Sequence, residues 1–342
     1  MRRILTLAAA AGLLAAATTA QAADKVTIQL KWVAQAQFAG YFVAKDKGLY
    51  KEANLDVTVK PGGPDIAPEQ VFAAGGADVI VDWMTAALAA REKGVDLTNI
   101  AQTFQREGLE LTCLKSSGVK SPKDFPGRTL GVWFYGNEYP FMAWMAKLGY
   151  STEGGANGVK VLKQAFNVDP LLQKQADCIS TMTYNEYWQV IDAGIKPSEL
   201  IVFKYSDEGV GVLEDGLYAN GAKLKDKAYE ELMARFVAAS DKGWRWAVTH
   251  QDEAAKIVIA NDTTGAQTLK HQQVMMKEIA KLITDSRNPL GYLDVKDYDR
   301  TVAVLLGAKS DPPVITKKPE NAFTWAIYKA SEKYWDPSKG SN

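Results

Sequence analysis

Residue types suited to holding a flat, polar molecule occur at four points of the chain, each where a strand-like run gives way to a turn or helix. Trp32 stands with Gln35, Gln37, Phe38 and Tyr41 at the first. A flat aromatic face beside amides can stack on a planar ring and fix its polar edge by hydrogen bonds. A tryptophan packed beneath the first helix is the structural alternative. Asp82 and Trp83 end a later apolar run, where Asp82 could read a ligand, cap a helix or pair internally. Trp133, Phe134, Tyr135, Gly136, Asn137 and Glu138 follow a third run. Helix capping and the helix dipole explain Asn137 and Glu138; Trp133 and Tyr135 remain as stacking candidates. Tyr184 and Glu186 open the helix after a fourth run. A carboxylate there can accept two parallel N–H bonds, which matches an amino group beside a protonated ring nitrogen. It could equally be an acid favoured by the helix N-terminus. Lys31 and His271 hint only faintly at catalysis, and a solvated lysine is expected at 31. The Gly-Pro segment 61–65 reads as a turn.

Elements that would position these groups alternate along the chain. Strand-like runs span 26–32, 55–59, 77–83, 97–104 and 109–114, with helix-like runs at 38–47, 67–74 and 84–93. That order implies a mostly parallel sheet covered on both faces, with ligands at the carboxyl ends of its strands. A second unit follows, with strands at 129–134, 159–163, 178–182 and 201–204 and helices at 137–148, 170–175 and 184–193. From 221 onward the chain reads as helices, at 229–248, 252–260, 267–283 and 297–306. The expected architecture is α/β in two lobes. The first comprises 23–115 and 212–342, the second 116–211, with crossings near 113–117 and 207–213. A cleft between lobes is the natural ligand site, and hinge closure the natural motion.

Arg2, Arg3, the apolar run 4–17 and the Ala20-Gln21-Ala22 site read as an export signal at 1–22. The remaining chain of about 320 residues fits two domains, placed in a periplasm. Forty basic residues balance forty acidic ones, which argues against nucleic-acid or polybasic membrane partners. Two cysteines, Cys113 and Cys178, are expected as buried thiols rather than as a bonded pair. Two histidines and no Cys/His cluster argue against zinc.

The strings LKWVAQAQFAGYFVAKDKGLY, VKPGGPDIAPEQ, GVWFYGNEYPFMAWMAKLG and MTYNEYWQVIDAG resemble the substrate-binding proteins of ABC importers. More narrowly, they resemble the branch related to the yeast thiamine-pyrimidine synthase, which includes bacterial binders of thiamine-precursor pyrimidines and of riboflavin. The resemblance implies a type II periplasmic binding protein fold, each lobe a mixed sheet flanked by helices. It implies a monomer without a cofactor that delivers a heterocycle to permease and ATPase subunits. By position, Trp32 is the aromatic platform and Glu186 the partner of an aminopyrimidine edge. The synthases' cysteine-rich CCCFC string is absent, the first histidine is His250, and Phe38 stands where many pyrimidine binders carry histidine. The first two departures favour a receptor over a pyridoxal-phosphate-dependent synthase; the third keeps a larger flat ring such as riboflavin beside the pyrimidine. An aminopyrimidine leads as ligand, with riboflavin, a sulfonate or nitrate as alternatives.

Overall fold

The computed structural model describes residues 22–308, 310 and 312–335, so the export signal expected at 1–22 lies outside the described residues apart from Ala22. The strands are β1 (Asp24–Gln29), β2 (Leu55–Lys60), β3 (Val79–Trp83), β4 (Leu97–Gln102) and β5 (Leu109–Leu114). After them come β6 (Thr129–Val132), β7 (Lys160–Lys163), β8 (Cys178–Met182), β9 (Leu200–Lys204) and β10 (Asp215–Asn220). Between strands run α1 (Ala39–Asp46), α2 (Leu49–Glu52), α3 (Pro68–Ala73), α4 (Met84–Glu92), α5 (Glu138–Leu148), α6 (Asp169–Leu172) and α7 (Glu186–Asp192). The chain closes with α8 (Lys227–Thr249), α9 (Gln251–Asn261), α10 (Leu269–Thr284), α11 (Val295–Gly307) and α12 (Ala326–Trp335). Glycines in left-handed conformation follow α1, α5 and α7, at Gly48, Gly149 and Gly194, where the sequence places its helix stops.

Two five-stranded sheets result, ordered β2-β1-β3-β10-β4 and β7-β6-β8-β5-β9. The strand β1 runs parallel to β2 and β3, as β6 does to β7 and β8. The two antiparallel insertions, β10 and β5, each enter from the other half of the chain. Both sheets are therefore mixed, with helices against them. The chain passes between sheets at 103–108 and again at 205–214. Long C-terminal helices cover the first sheet, and α1 crosses α8 closely at Gly40 and Gly243. A Cβ on Gly243 would lie 2.1 Å from the Gly40 carbonyl oxygen.

Three expectations need correction. The run 109–114, expected in the first lobe, is β5 of the second sheet, between β8 and β9. Strand periodicity identifies a strand and carries no information about which sheet receives it. Gly216 reads as loop punctuation in the sequence, whereas Asp215–Asn220 is a strand, β10. Glycine stands there because a Cβ would meet the Asn99 and Gln102 side chains at 2.5 and 2.7 Å, a close approach inside a central strand. The cysteines are bonded to each other. Cys113 on β5 sits directly opposite Cys178 on β8, with Cα atoms 4.0 Å apart. A disulfide fits an oxidising compartment.

The bond closes a loop of 65 residues in sequence, which by chain entropy stabilises by roughly 4 kcal/mol. Reduction, or a Cys113→Ser/Cys178→Ser double variant, should lower the denaturant midpoint by a corresponding amount. An unchanged midpoint under reducing conditions would contradict the cross-link.

Candidate functional site

The carboxyl ends of β1, β3, β6 and β8 meet along the seam between the two sheets. Each sends its next residues into one place: Trp32, Trp83, Trp133 and the segment from Met182 to Glu186. Trp32 and Trp133, one from each half, touch with ring centroids 6.0 Å apart and planes inclined at 63°. That is an edge-to-face pair, a favourable aromatic geometry. The Trp133 indole is pinned by donating to the Ala165 carbonyl at 2.9 Å. The space among these rings is about 30 Å³, walled also by Gln35, Gln37, Asn137 and Tyr184. Two inclined indoles in contact leave no parallel gap, so a ring lying between them requires the halves to part or an indole to turn.

Beneath the rings lies a buried polar network. Lys31, only 5% exposed, reaches Asp82 at 2.7 Å. It also donates to the Tyr135 carbonyl of the opposite half at 3.4 Å. Burial works against its ammonium, but the Asp82 carboxylate overcomes that and holds its pKa above the usual lysine value. Gln35 donates to Gln37, and Gln37 to Asp215 Oδ2. Asn185 spans the seam: its amide donates to Gln35 Oε1 at 3.2 Å and to Glu186 Oε1 at 2.7 Å. Its Oδ1 accepts from His271 Nε2 of α10 at 2.8 Å. The other Glu186 oxygen accepts the Met182 N–H at 3.0 Å. Burial pushes the Glu186 carboxyl up to about 7, against the pull of its own N–H, the Met182 N–H and the Asn185 amide. Asp215 is pushed up to about 7 by burial as well, with Gln37 and Lys31 opposing. Two buried polar atoms of the cavity walls have no hydrogen-bond partner: Asn137 Oδ1 and Tyr184 Oη. Buried polar groups are normally satisfied, so unsatisfied ones in a cavity mark where a ligand could bind.

Of the residues singled out from sequence, Trp32, Gln37, Trp83, Trp133, Asn137, Tyr184 and Glu186 line this cavity. Asp82 lies beneath it as the partner of Lys31. Tyr135 faces a neighbouring chamber, in left-handed backbone with φ 59°. Phe38 and Tyr41 are in the core and do not line the cavity. Helix α1 turns Tyr41 onto Trp244, with its hydroxyl on Thr103. Asn137 makes no side-chain cap; its amide donates to the Phe134 carbonyl instead. Lys31, expected in solvent, is buried because β1 and β3 are parallel neighbours that bring Asp82 to it. An acid at the end of an adjacent strand was the available signal. His271, a faint catalytic hint in the sequence, serves as a hydrogen-bond donor to Asn185, while Met182, Asp215 and Asn185 carry no sequence signal that separates them from ordinary strand and helix residues.

The raised carboxyl of Glu186 ties stability to pH. A pKa above its unfolded value stabilises fully below about pH 4.5, and that contribution is lost as pH rises through about 7. The chain should be more stable at pH 5 than at pH 8. Glu186→Gln should shrink that difference by on the order of 3 kcal/mol. Urea midpoints at the two pH values provide the check; an identical pH dependence in the variant would contradict the burial argument.

The family model described as NMT1/THI5 like matches residues 35–254. The formylaminopyrimidine-binding protein of Halalkalibacterium halodurans is 23% identical over 281 residues, covering 82% of this chain and 83% of that protein. A 4-amino-5-hydroxymethyl-2-methylpyrimidine phosphate synthase of Legionella pneumophila is 27% identical over 173 residues, covering 50% of this chain and 49% of that protein. The periplasmic aliphatic sulphonate binding protein SsuA of Escherichia coli superposes with a TM-score of 0.62 at 11% identity, over 87% of this chain and 90% of that chain. With two mixed five-stranded sheets in the arrangement of a periplasmic binding protein, the chain belongs to the NMT1/THI5-like family.

Proposed function

We propose that this protein is the periplasmic receptor of an ABC importer and takes a flat, nitrogen-rich heterocycle, an aminopyrimidine of the thiamine-precursor type, between its two halves. One observation carries the reading. Indoles from opposite halves, Trp32 and Trp133, meet at a cavity that a buried carboxyl, Glu186, also lines, together with unsatisfied polar atoms of Tyr184 and Asn137. Parted by one ring, the indoles would stack on both faces of the heterocycle. The Glu186 carboxyl, held by the Met182 N–H, the Asn185 amide and its own N–H, keeps capacity to accept one further bond, which suits the amino group of such a ring. The 23% identical relative named for binding formylaminopyrimidine supports this ligand class. Closure would pivot about the crossings at 103–108 and 205–214 and present the complex to permease and ATPase subunits.

Receptor is preferred to synthase on a chemical ground. A lysine that forms an imine must shed its proton readily. Lys31, the lysine lining the cavity, is ion-paired at 2.7 Å and its pKa is raised, the opposite of what such chemistry needs. Among the described residues no helix is long and apolar enough to cross a membrane.

Calorimetry of the mature chain with formylaminopyrimidine, hydroxymethylpyrimidine, riboflavin, taurine and nitrate tests the reading. A pyrimidine should bind most tightly. Trp133→Ala should weaken it about tenfold through the lost ring face, and Glu186→Gln by at least about as much through the lost charge-assisted bond. Tighter binding of riboflavin or a sulfonate, or pyrimidine affinity indifferent to both substitutions, would overturn the assignment.

A further inference from the structure

Between β6 and α5 the chain makes a tight turn in which two successive residues, Tyr135 and Gly136, lie in left-handed backbone, with φ 59° and 92°. That conformation is unfavourable for a residue as bulky as tyrosine, so neighbouring groups must impose it. The second half does so with its own groups. The Gly136 N–H donates to Glu138 Oε2 at 2.8 Å, and the Asn137 amide donates to the Phe134 carbonyl at 2.9 Å. Lys163 of β7 brings its ammonium over the Tyr135 ring at 5.3 Å. All these contacts lie within the second half, so the shape of the turn does not depend on the first.

Both carbonyls of the turn accept from the first half. Thr85 Oγ1, in the N-terminal turn of α4, donates to the Gly136 carbonyl at 2.9 Å. Lys31 donates to the Tyr135 carbonyl at 3.4 Å. The backbones meet at the same point. A Cβ on Gly136 would lie 2.3 Å from Ala86 Cβ and 2.8 Å from Ala86 Cα. Thr85 and Ala86 are both buried, which shields the Thr85 bond from water. The place of this contact matters too. Thr85, Ala86, Tyr135 and Gly136 do not line the aromatic cavity. Other contacts across the seam do involve its walls, as between Asn185 and Gln35 or Trp32 and Trp133.

We propose that the Tyr135–Gly136 turn is a latch, which seats on the N-terminal turn of α4 and biases the two halves toward closure through contacts that no ligand makes. Seating orders little that is not already ordered, because the turn is formed in advance. It gains a buried hydrogen bond at Thr85 and the tether from Lys31. Closed, the molecule leaves about 30 Å³ among the rings. Ligand therefore enters through the open fraction of the chains, and the latch sets that fraction. The proposal rests on the closing motion of the receptor reading and not on the identity of the ligand, so its test is made with no ligand present.

Small-angle X-ray scattering of the full mature chain reads the balance of open and closed forms. Ala86→Leu sets a bulky side chain against Gly136 only when the halves close, so it should enlarge the radius of gyration. Thr85→Val keeps the side-chain shape and removes the donor, which leaves the Gly136 carbonyl unpaired on closure. It should move the open-to-closed ratio about tenfold toward open. Thr85→Ser keeps the hydroxyl and should scatter as the wild type does. Should Ala86→Leu fail to fold, the two Thr85 variants decide. Equal radii for Thr85→Val and Thr85→Ser would overturn the proposal, as would a folded Ala86→Leu chain with the wild-type radius. A wrong ligand assignment would leave all of these results unchanged.

Discussion

A single buried ammonium organises the seam of this molecule. An unpaired charge in an apolar interior is strongly unfavourable, so Lys31 must have Asp82, and it has it at 2.7 Å because β1 and β3 lie side by side. Once fixed, the ammonium reaches across to the Tyr135 carbonyl and tethers the second half of the chain to the first. Trp83, Tyr135 and Gly136 take their places around that tether. The aromatic cavity and the neighbouring chamber lie on either side of it and owe their separation to it and to the close Gly136–Ala86 approach.

The second constraint is the polar chain from Asp215 through Gln37, Gln35 and Asn185 to His271 and Glu186. Its members come from β10, the turn after β1, the turn after β8, α10 and α7. Such a network is worth more complete than in parts. It fixes Glu186 at the wall of the cavity that the indoles also line, with three donors on its carboxyl. The carboxyl is thereby aimed while retaining capacity to accept. Burial that raises its pKa also lets it act as donor or acceptor near neutrality, which suits heterocycles that exchange a ring proton in the same range.

Much of the local structure was legible in the chain because its signals are local. Alternating Val26, Ile28 and Leu30 mark β1, and glycines at 48, 149 and 194 end α1, α5 and α7. Trp32, Trp133 and Glu186 stood out because each follows a strand and precedes a helix. What stayed hidden depends on distant pairing. The run 109–114 is a strand in either sheet, and only its partners β8 and β9 decide. The Cys113–Cys178 bond follows from that same register. Gly216 conceals β10 because a steric need inside a strand looks like a turn in sequence. Lys31 looked solvated because its counter-ion lies 51 residues away. Phe38 and Tyr41 sit near the right strand end but on the face of the first turn and α1 that packs inward.

The central claim is that a planar heterocycle parts the two indoles and rests on Glu186. A crystal structure of the chain with formylaminopyrimidine bound tests it most directly. The account predicts the ring between Trp32 and Trp133, roughly parallel to both, with its amino group at hydrogen-bond distance from the Glu186 carboxyl. A ligand bound elsewhere, with the two indoles still in edge-to-face contact, would contradict it.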